Sequence, residues 1–254
     1  MKNYYAFLKK EAMESNRTYK TLILFCVFFF FGMLSPVTAK VMPKILSEFM
    51  PSGMKITLAT PVVMDAWAQF YKNVSQMGLF LLVILFSGVL ATEKTKGTLV
   101  IMVTKGLSRN TILFAKFTMM IVLWTTSLAA AALTTYGYSC YLFPGETLPH
   151  LFFSLVALWV YGVFLFALLL FMATFTKNNY SALLLTGGLV AILMMLNLFP
   201  TIKKISPLFL SSNNVALLGN TVTVKSFILP MGITAGCTIL FVLGASLLFR
   251  KQQI

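Results

Sequence analysis

Residues 163–172 read VFLFALLLFM and carry no polar side chain on any face of a helix or a strand. The run LFLLVILF at residues 79–86 has the same character. Strands of a membrane β-barrel instead alternate apolar and polar residues over about ten residues. The two runs therefore predict helices surrounded by lipid or by other apolar helices, and we expect an all-α protein.

The composition of the whole chain supports a membrane environment. Of its 254 residues, 59% are hydrophobic and 10% are charged, which leaves too little polar surface to cover a water-soluble domain of this size. Since about 20 apolar residues cross a bilayer as a helix, we expect residues 1–254 to form a single transmembrane domain with six spans. The expected spans are residues 21–39, 74–91, 117–138, 151–173, 180–199 and 227–249.

The distribution of Lys and Arg predicts the orientation of these spans, because short cytoplasmic loops are richer in these residues than outer loops. With the N-terminus inside, thirteen of the 20 basic residues lie on the cytoplasmic side and seven lie outside. We therefore expect both termini and the polar segments 1–20 and 92–116 in the cytoplasm, with the spans in the plasma membrane. The net charge of +14 does not predict nucleic-acid binding, since the bases flank the spans, where anionic lipid headgroups favour them.

The first polar segment predicts an amphipathic helix that lies on the membrane surface. Tyr4, Phe7, Leu8 and Ala12 recur at helical spacing, and charged residues lie between them. The alternative is a simple basic anchor that only fixes the orientation of the chain.

The second polar segment separates the second and third spans. Over about 25 residues it contains the acid Glu93, several bases and Gly97. A few residues suffice to join two spans, so the segment predicts a docking surface for a cytoplasmic protein. A short helix here can present Leu99, Ile101 and Met102 to a groove of that protein, with charged side chains at its rim. The alternative is a solvated basic loop.

The sequence contains none of the common catalytic motifs. It has no Gly-x-x-x-x-Gly-Lys-Ser/Thr nucleotide loop, no His-Glu-x-x-His zinc helix and no Gly-x-Ser-x-Gly turn. One histidine and six acids are too few for a typical metal or acid–base site, and the expected spans contain almost no charge to bind a coupling ion. We expect no enzyme activity, cofactor or metal on this chain, so the energy for any transport must come from another chain.

The second polar segment resembles the loop between the second and third spans of ABC-2 type exporter permeases. That loop typically contains an acid, a Gly-Thr-Leu, a Ser-Arg about ten residues later and a Lys that enters the third span. The six spans and the amphipathic N-terminal helix match as well. The residues that this resemblance assigns to coupling with an ATPase are Glu93, Lys94, Lys96, Gly97, Thr98, Leu99, Ser108 and Arg109.

The resemblance also implies the composition of a complex. Two six-span bodies, identical or paired with a sister permease, assemble with two separate ATP-binding subunits, which bind ATP and Mg²⁺. In that family the seam between permeases involves the first and fifth spans. Separately, the last span of this sequence contains a Gly-x-x-x-Gly motif, which permits close approach of two helices inside one subunit or between two. The candidate residues for these contacts are Phe28, Phe31, Leu193, Leu196, Gly232 and Gly236.

Within the family, the compact length resembles the peptide exporters of Gram-positive bacteria, such as the membrane subunits that export phenol-soluble modulins or bacteriocins. We therefore expect a permease that moves amphipathic peptides or other amphipathic molecules out of the cell. The alternatives are an ABC extruder of drugs, lipids or ions, and an integral membrane scaffold without a transport function.

Overall fold

The computed structural model describes residues 2–49, 60–104, 106–176 and 178–252. Within these ranges the chain forms helices and no β-strand, which confirms the all-α prediction. The helices are α1 (Lys2–Arg17), α2 (Lys20–Phe49), α3 (Val63–Asn73), α4 (Leu79–Phe86), α5 (Ala91–Thr95), α6 (Thr98–Thr104), α7 (Arg109–Leu142), α8 (Leu151–Phe175), α9 (Asn179–Leu196), α10 (Pro200–Lys203), α11 (Phe209–Ser212), α12 (Asn214–Leu218) and α13 (Lys225–Lys251).

Six helical segments of this described part are long and apolar enough to cross a membrane, which confirms the expected number of spans. Each segment overlaps one expected span, and most are longer than expected because the helices continue into polar residues at their ends. The six segments are Lys20–Pro43, Val63–Thr95, Arg109–Leu142, Leu151–Phe175, Asn179–Leu196 and Lys225–Lys251.

The second span differs most from its expected bounds, since its helix begins at Val63 and not near residue 74. Helix α3 continues through a π-helical turn at Val74–Gly78 into α4. Polar residues lower the hydropathy of α3, but Trp67 and Phe70 on the same helix are buried. The helix is therefore held by tertiary packing and not by a continuous apolar sequence.

Large aromatic side chains fill the core of the helix bundle. Trp67 and Trp124 are almost completely buried, and the ring of Phe28 packs edge-to-face on Trp124 with ring centroids 5.7 Å apart. The same Phe28 ring lies against Gly78, where an added Cβ atom would come within 2.9 Å of it. These contacts hold the first, second and third spans together.

This packing corrects part of the expected seam between permeases. Phe28 is fully buried and Phe31 is 9% exposed, so both side chains pack inside the subunit. Leu193 is partly buried against the core, and Leu196 is 39% exposed on α9.

The two glycines of the last span do not mediate helix contact inside the subunit. Gly232 and Gly236 are exposed. If a Cβ atom is built at either glycine, no atom of the described residues outside its own helix turn lies within 4 Å of that Cβ. Gly244 has this packing role in α13, because a Cβ there would lie 2.9 Å from the Phe171 ring of α8.

Candidate functional site

The polar segments of the sequence meet at one end of the helix bundle, which we call the charged end. It comprises α1, the α5–α6 segment (Ala91–Thr104), the start of α7, and the C-terminal ends of α8 and α13. The N-terminal helix and the C-terminal end of α13 therefore lie at the same end of the bundle.

Helix α1 is amphipathic, as its sequence predicts, and packs against α7 and α2. Phe7 is buried, whereas Tyr5 and Met13 on other faces are exposed. The Tyr4 hydroxyl donates a hydrogen bond to Thr118 Oγ1 at 2.8 Å, which fixes α1 to the third span. The helix is thus a packed element of the bundle and more than a basic anchor.

A cluster of alternating charges joins α1, α5 and α7 beside this contact, and we call it the charge cluster. At its centre, the Glu93 carboxylate is 4% exposed and its Oε1 lies 2.8 Å from Lys10 Nζ and 3.0 Å from Lys116 Nζ. The buried Lys116 Nζ also lies 3.0 Å from Glu11 Oε1. Because removing one partner of a buried ion pair leaves an uncompensated charge, these residues depend on one another. The members are Lys10, Glu11, Glu14, Glu93 and Lys116.

Lys10 connects the cluster to the surface of α1. Its Nζ lies 2.5 Å from Glu14 Oε2 and 3.0 Å from Glu11 Oε1. Burial alone would lower the pKa of Lys10, but hydrogen bonds to Glu14 and Glu93 and the charge of Glu11 raise it above its ordinary value. Burial alone would raise the pKa of Glu14, but the hydrogen bond and charge of Lys10 hold it below its ordinary value. Both groups are therefore charged at neutral pH.

The three carboxylates of the cluster also have the spacing of a cation site, since oxygens of Glu11, Glu14 and Glu93 lie within 4.8 Å of one another. However, Lys10 and Lys116 lie 2.5 to 3.0 Å from these oxygens and neutralise them. The lysine ammonium groups take the positions that a metal ion would need, so the arrangement is that of an ion-pair network.

Lys94, the next residue of α5, anchors the segment to the fourth span. Its Nζ donates to the backbone oxygens of Ala173, Thr174 and Thr176 at 3.2 to 3.3 Å. These carbonyls end α8 and have no partner within the helix, and the negative end of the helix dipole lies there. A cation at this position therefore stabilises the end of α8 and fixes α5 to it.

Arg109 makes the equivalent contact with the last span. Its guanidinium donates to the backbone oxygens of Phe249 at 3.0 Å and Arg250 at 3.2 Å, and also to that of Gln252. The start of α7 is thereby tied to the C-terminal end of α13.

Three further residues of the predicted coupling set have local structural roles. Gly97 has a φ of +66° in the turn between α5 and α6, a conformation that glycine adopts at low cost. The Thr98 hydroxyl donates to the Glu93 backbone oxygen at 3.4 Å. Ser108 caps the start of α7, where its Oγ accepts a hydrogen bond from the Thr111 N–H at 3.2 Å.

The surface that α6 offers to another protein differs from the expected one. Leu99 is fully buried in the chain's own core, so the prediction that it faces a partner's groove is wrong. Val100 is 41% exposed and Ile101 is 53% exposed, and Met102 is partly buried. Lys96, at the end of α5, is also exposed. We call the exposed side of α6 that carries Val100 and Ile101 its outer face. Successive residues of a helix point about 100° apart, so Leu99 points away from this outer face.

The sequence did not single out Lys10 and Glu11 as members of a site. Lys10 pairs with Glu93, 83 residues away, and Glu11 pairs with Lys116, 105 residues away, so no local pattern records these contacts. The Lys10–Glu14 spacing of four residues on an amphipathic helix was the available signal.

These contacts connect the α5–α6 segment to several elements of the bundle. Glu93 of α5 ties it to α1 and α7, and Lys94 ties it to α8. Arg109, just beyond it, ties α7 to α13. The segment and its flanking residue are thus in contact with the third, fourth and last spans.

Comparison with known proteins gives one curated relative and one family. The uncharacterized transmembrane protein YxlG of Bacillus subtilis (strain 168) is 26% identical over 164 residues, which is 63% of this chain and 64% of that protein. The match thus spans less than two thirds of the relative's length. Residues 5–253 match the family described as ABC-2 family transporter protein. The chain belongs to this ABC-2 family, and its long apolar helices make it a multi-pass membrane protein.

Proposed function

We propose that this permease exports amphipathic peptides or other amphipathic molecules from a bacterial cell, with both of its termini in the cytoplasm. Separate ATP-binding subunits carry ATP and Mg²⁺, and the charged end of the bundle faces them across the inner surface of the plasma membrane. The excess of Lys and Arg in the polar segments supports this orientation.

The ATPase docks on the outer face of α6. The observation that carries this proposal is the combination of an exposed apolar pair, Val100 and Ile101, with a backbone that Glu93, Lys94 and Arg109 tie to the spans. Apolar side chains on a polar segment gain free energy when a partner covers them, by roughly 25 cal/mol per Å². The same segment passes the motion of the partner to the spans.

Co-purification tests the docking surface. An affinity-tagged permease is expressed together with its ABC ATPase, and the amount of ATPase retained is measured in detergent. We expect Ile101→Asp to lower retention at least tenfold, because the aspartate would be buried in the contact without a partner. Ile205→Asp is the matched control, since Ile205 is 42% exposed at the opposite end of the bundle. Equal retention by both variants would contradict the docking surface.

The chemical nature of the translocated molecule is inferred from the side chains of the six spans that it would contact. The six spans carry almost no fixed charge between their ends, so a translocated molecule gains its contacts from apolar and aromatic side chains. Burying one such side chain contributes roughly 1.5 to 3 kcal/mol. Amphipathic molecules fit these walls better than small hydrophilic solutes.

Two permeases of this kind, identical or sister chains, form the transport unit. Leu196 on α9, and Gly232 and Gly236 on α13, are exposed and remain candidates for the contact between them or with lipid. Phe28 and Phe31 are no longer candidates for this contact, because they pack inside the subunit.

A further inference from the structure

A cavity of about 550 Å³ lies between the second, fourth and fifth spans. Its walls come from residues 75–83, from Tyr161 and Leu165 of α8, and from residues 183–194 of α9. These positions fall near the middle of each spanning helix. Its volume is in the range of small-molecule binding sites, about 300 to 1,000 Å³.

The lining of this cavity is apolar and uncharged. Phe80, Leu79, Val83 and Met194 are among its lining residues, and none of the described residues that line it is charged. Phe80 and Met194 are also exposed on the outside of the bundle, by 64% and 57%. The cavity therefore opens sideways, in the direction of the bilayer, and its walls suit a hydrocarbon.

One polar group in the wall lacks a partner. The Ser75 hydroxyl oxygen is buried and makes no hydrogen bond with the described residues. It belongs to the π-helical turn Val74–Gly78, and such turns are frequent at functional sites. Thr186, across the cavity, differs from Ser75 because its hydroxyl already donates to the Ala182 backbone oxygen at 2.8 Å.

The facing wall contains two consecutive glycines that packing does not explain. Gly187 and Gly188 lie inside α9, where glycine is unfavourable. No described atom outside their own helix turn lies within 4 Å of a Cβ built at either position. The missing side chains leave space in the cavity and do not serve a helix contact in this subunit.

We propose that this cavity binds the hydrocarbon chain of an amphipathic molecule, and that the Ser75 hydroxyl, with the Gln76 amide beside it, hydrogen-bonds to an uncharged amide or ester carbonyl at the end of that chain. Charged head groups stay outside, because the cavity offers them no counter-charge. As a site for transported substrate the proposal rests on the proposed export function, but binding itself is measured on the permease alone.

The experiment uses a photoreactive probe, a 16-carbon N-alkyl amide with a diazirine on its chain, and the full-length permease in a sterol-based detergent that has no alkyl chain. Crosslinked peptides are identified by mass spectrometry. We expect labels in residues 75–83, 161–165 and 183–194. Gly188→Leu, which fills the space, is expected to reduce this labelling at least tenfold, and Gly137→Leu, at an exposed helical glycine of α7, is expected to leave it unchanged.

A second variant tests the hydrogen bond without filling the space. Ser75→Ala is expected to weaken binding of the amide probe about three- to tenfold, as expected for loss of one hydrogen bond. Binding of a diazirine hydrocarbon without the carbonyl is expected to stay unchanged. Labelling of wild type and Gly188→Leu to the same extent, or labels confined to other spans, would overturn the proposal, as would equal loss of both probes in Ser75→Ala.

The source of the carbonyl-bearing chain is found by repeating the labelling in phosphatidylglycerol nanodiscs. Loss of labelling there identifies a bilayer lipid as the occupant, and labelling that persists but is displaced by an acylated amphipathic peptide identifies a transported molecule. If peptides stimulate ATP hydrolysis by the complex but the cavity of its permease is not labelled, the proposed binding site is wrong and the export function stands. Labelling without any stimulation would keep the site and remove the export function.

Discussion

At the scale of single residues, Glu93 is the acid on which the charge cluster depends most. It is the carboxylate that meets Lys10 of α1 and Lys116 of α7 together. Its Oε2 is buried and has no hydrogen-bond partner among the described residues. The negative charge is therefore held by the two ammonium groups alone, and loss of that charge leaves Lys116 buried beside Glu11 as its remaining acid.

We expect Glu93→Gln to lower the free energy of unfolding by about 3 kcal/mol, near the lower end of the range for breaking a buried ion pair, because Glu11 still compensates Lys116 in part. The midpoint of thermal unfolding in detergent measures this loss. Glu14→Gln is the control, since the Glu14 side chain is 43% exposed and its pair with Lys10 contributes at most about 1 kcal/mol. Equal shifts in the two variants would rule out a central role for Glu93.

At the scale of elements, the stability of helix α1 depends on pH through the ion pair that Lys10 and Glu14 form within it. The pKa of Glu14 is lowered in the folded state, so its contribution to stability is present above the unfolded pKa of about 4.3 and is lost as the pH falls through the folded pKa. The pKa of Lys10 is raised, so its contribution is present below the unfolded pKa of about 10.4 and is lost only as the pH rises through the folded pKa. The pair is thus intact across neutral pH and weakened by acid.

The mobility of a spin label on α1 checks this pH dependence. In a cysteine-free background, a label at Tyr5→Cys is expected to become more mobile between pH 6 and pH 3. A label at Tyr141→Cys, exposed at the opposite end of the bundle, serves as the control and is expected not to change. Release of α1 between pH 7 and pH 9 would contradict the assignment of the shifts.

The turn at Gly97 gives a second prediction for the α5–α6 segment. A β-branched residue at a φ of +66° costs on the order of 1 to 3 kcal/mol, whereas asparagine tolerates this region. We expect Gly97→Val to lower the amount of substrate moved per ATP hydrolysed severalfold while the protein still inserts into the membrane. Gly97→Asn is expected to stay close to wild type, and a wild-type ratio in Gly97→Val would show that the turn has no part in coupling.

The elements were predictable to different degrees from the sequence. Apolar runs such as residues 163–172 are sufficient to identify a span, because every face of the helix is apolar. The second span was expected to begin at residue 74, because Asp65 and Lys72 mask the burial of Trp67 and Phe70 in the part of its helix that precedes this residue. In the seven-residue helix α6, tertiary packing alone decides which face is outside.

The candidate site was predictable in its residue types and not in its contacts. The motif identified Glu93, Lys94 and Arg109 as important residues. Lys116 lies 23 residues from Glu93, but their other partners are carbonyls and charges 79 to 143 residues away. Such contacts leave no periodic pattern in the sequence. Lys94 and Arg109, which were expected to contact a partner protein, therefore bind the C-terminal ends of helices in their own chain.

At the scale of the whole molecule, charge is concentrated at one end and the spans are apolar. The charged end contains the ion-pair network and the two capped helix ends, whereas the middle of the bundle contains the uncharged cavity beside α9. In the proposed function, the first part receives the force of an ATPase and the second part meets a translocated molecule.

The apolar middle predicts selectivity by amphipathicity. We expect amphipathic helical peptides of different sequence to stimulate ATP hydrolysis by the assembled complex in lipid and to compete with one another. Small hydrophilic solutes and inorganic ions are expected to have no effect, because the walls of the spans offer them few polar contacts. Stimulation by ions together with no response to any amphipathic peptide would replace the peptide exporter with an extruder of small solutes.

The central claim is that this permease moves its substrate only when a separate ATPase acts on α6. Its most direct test is ATP-driven uptake of a labelled amphipathic peptide into inside-out proteoliposomes that contain the permease alone, the permease with its ATPase, or the ATPase with Ile101→Asp or Ile205→Asp permease. The account predicts uptake with the wild-type complex and with Ile205→Asp, and none with the permease alone or with Ile101→Asp. Uphill uptake by the permease alone, or wild-type uptake with Ile101→Asp, would contradict it.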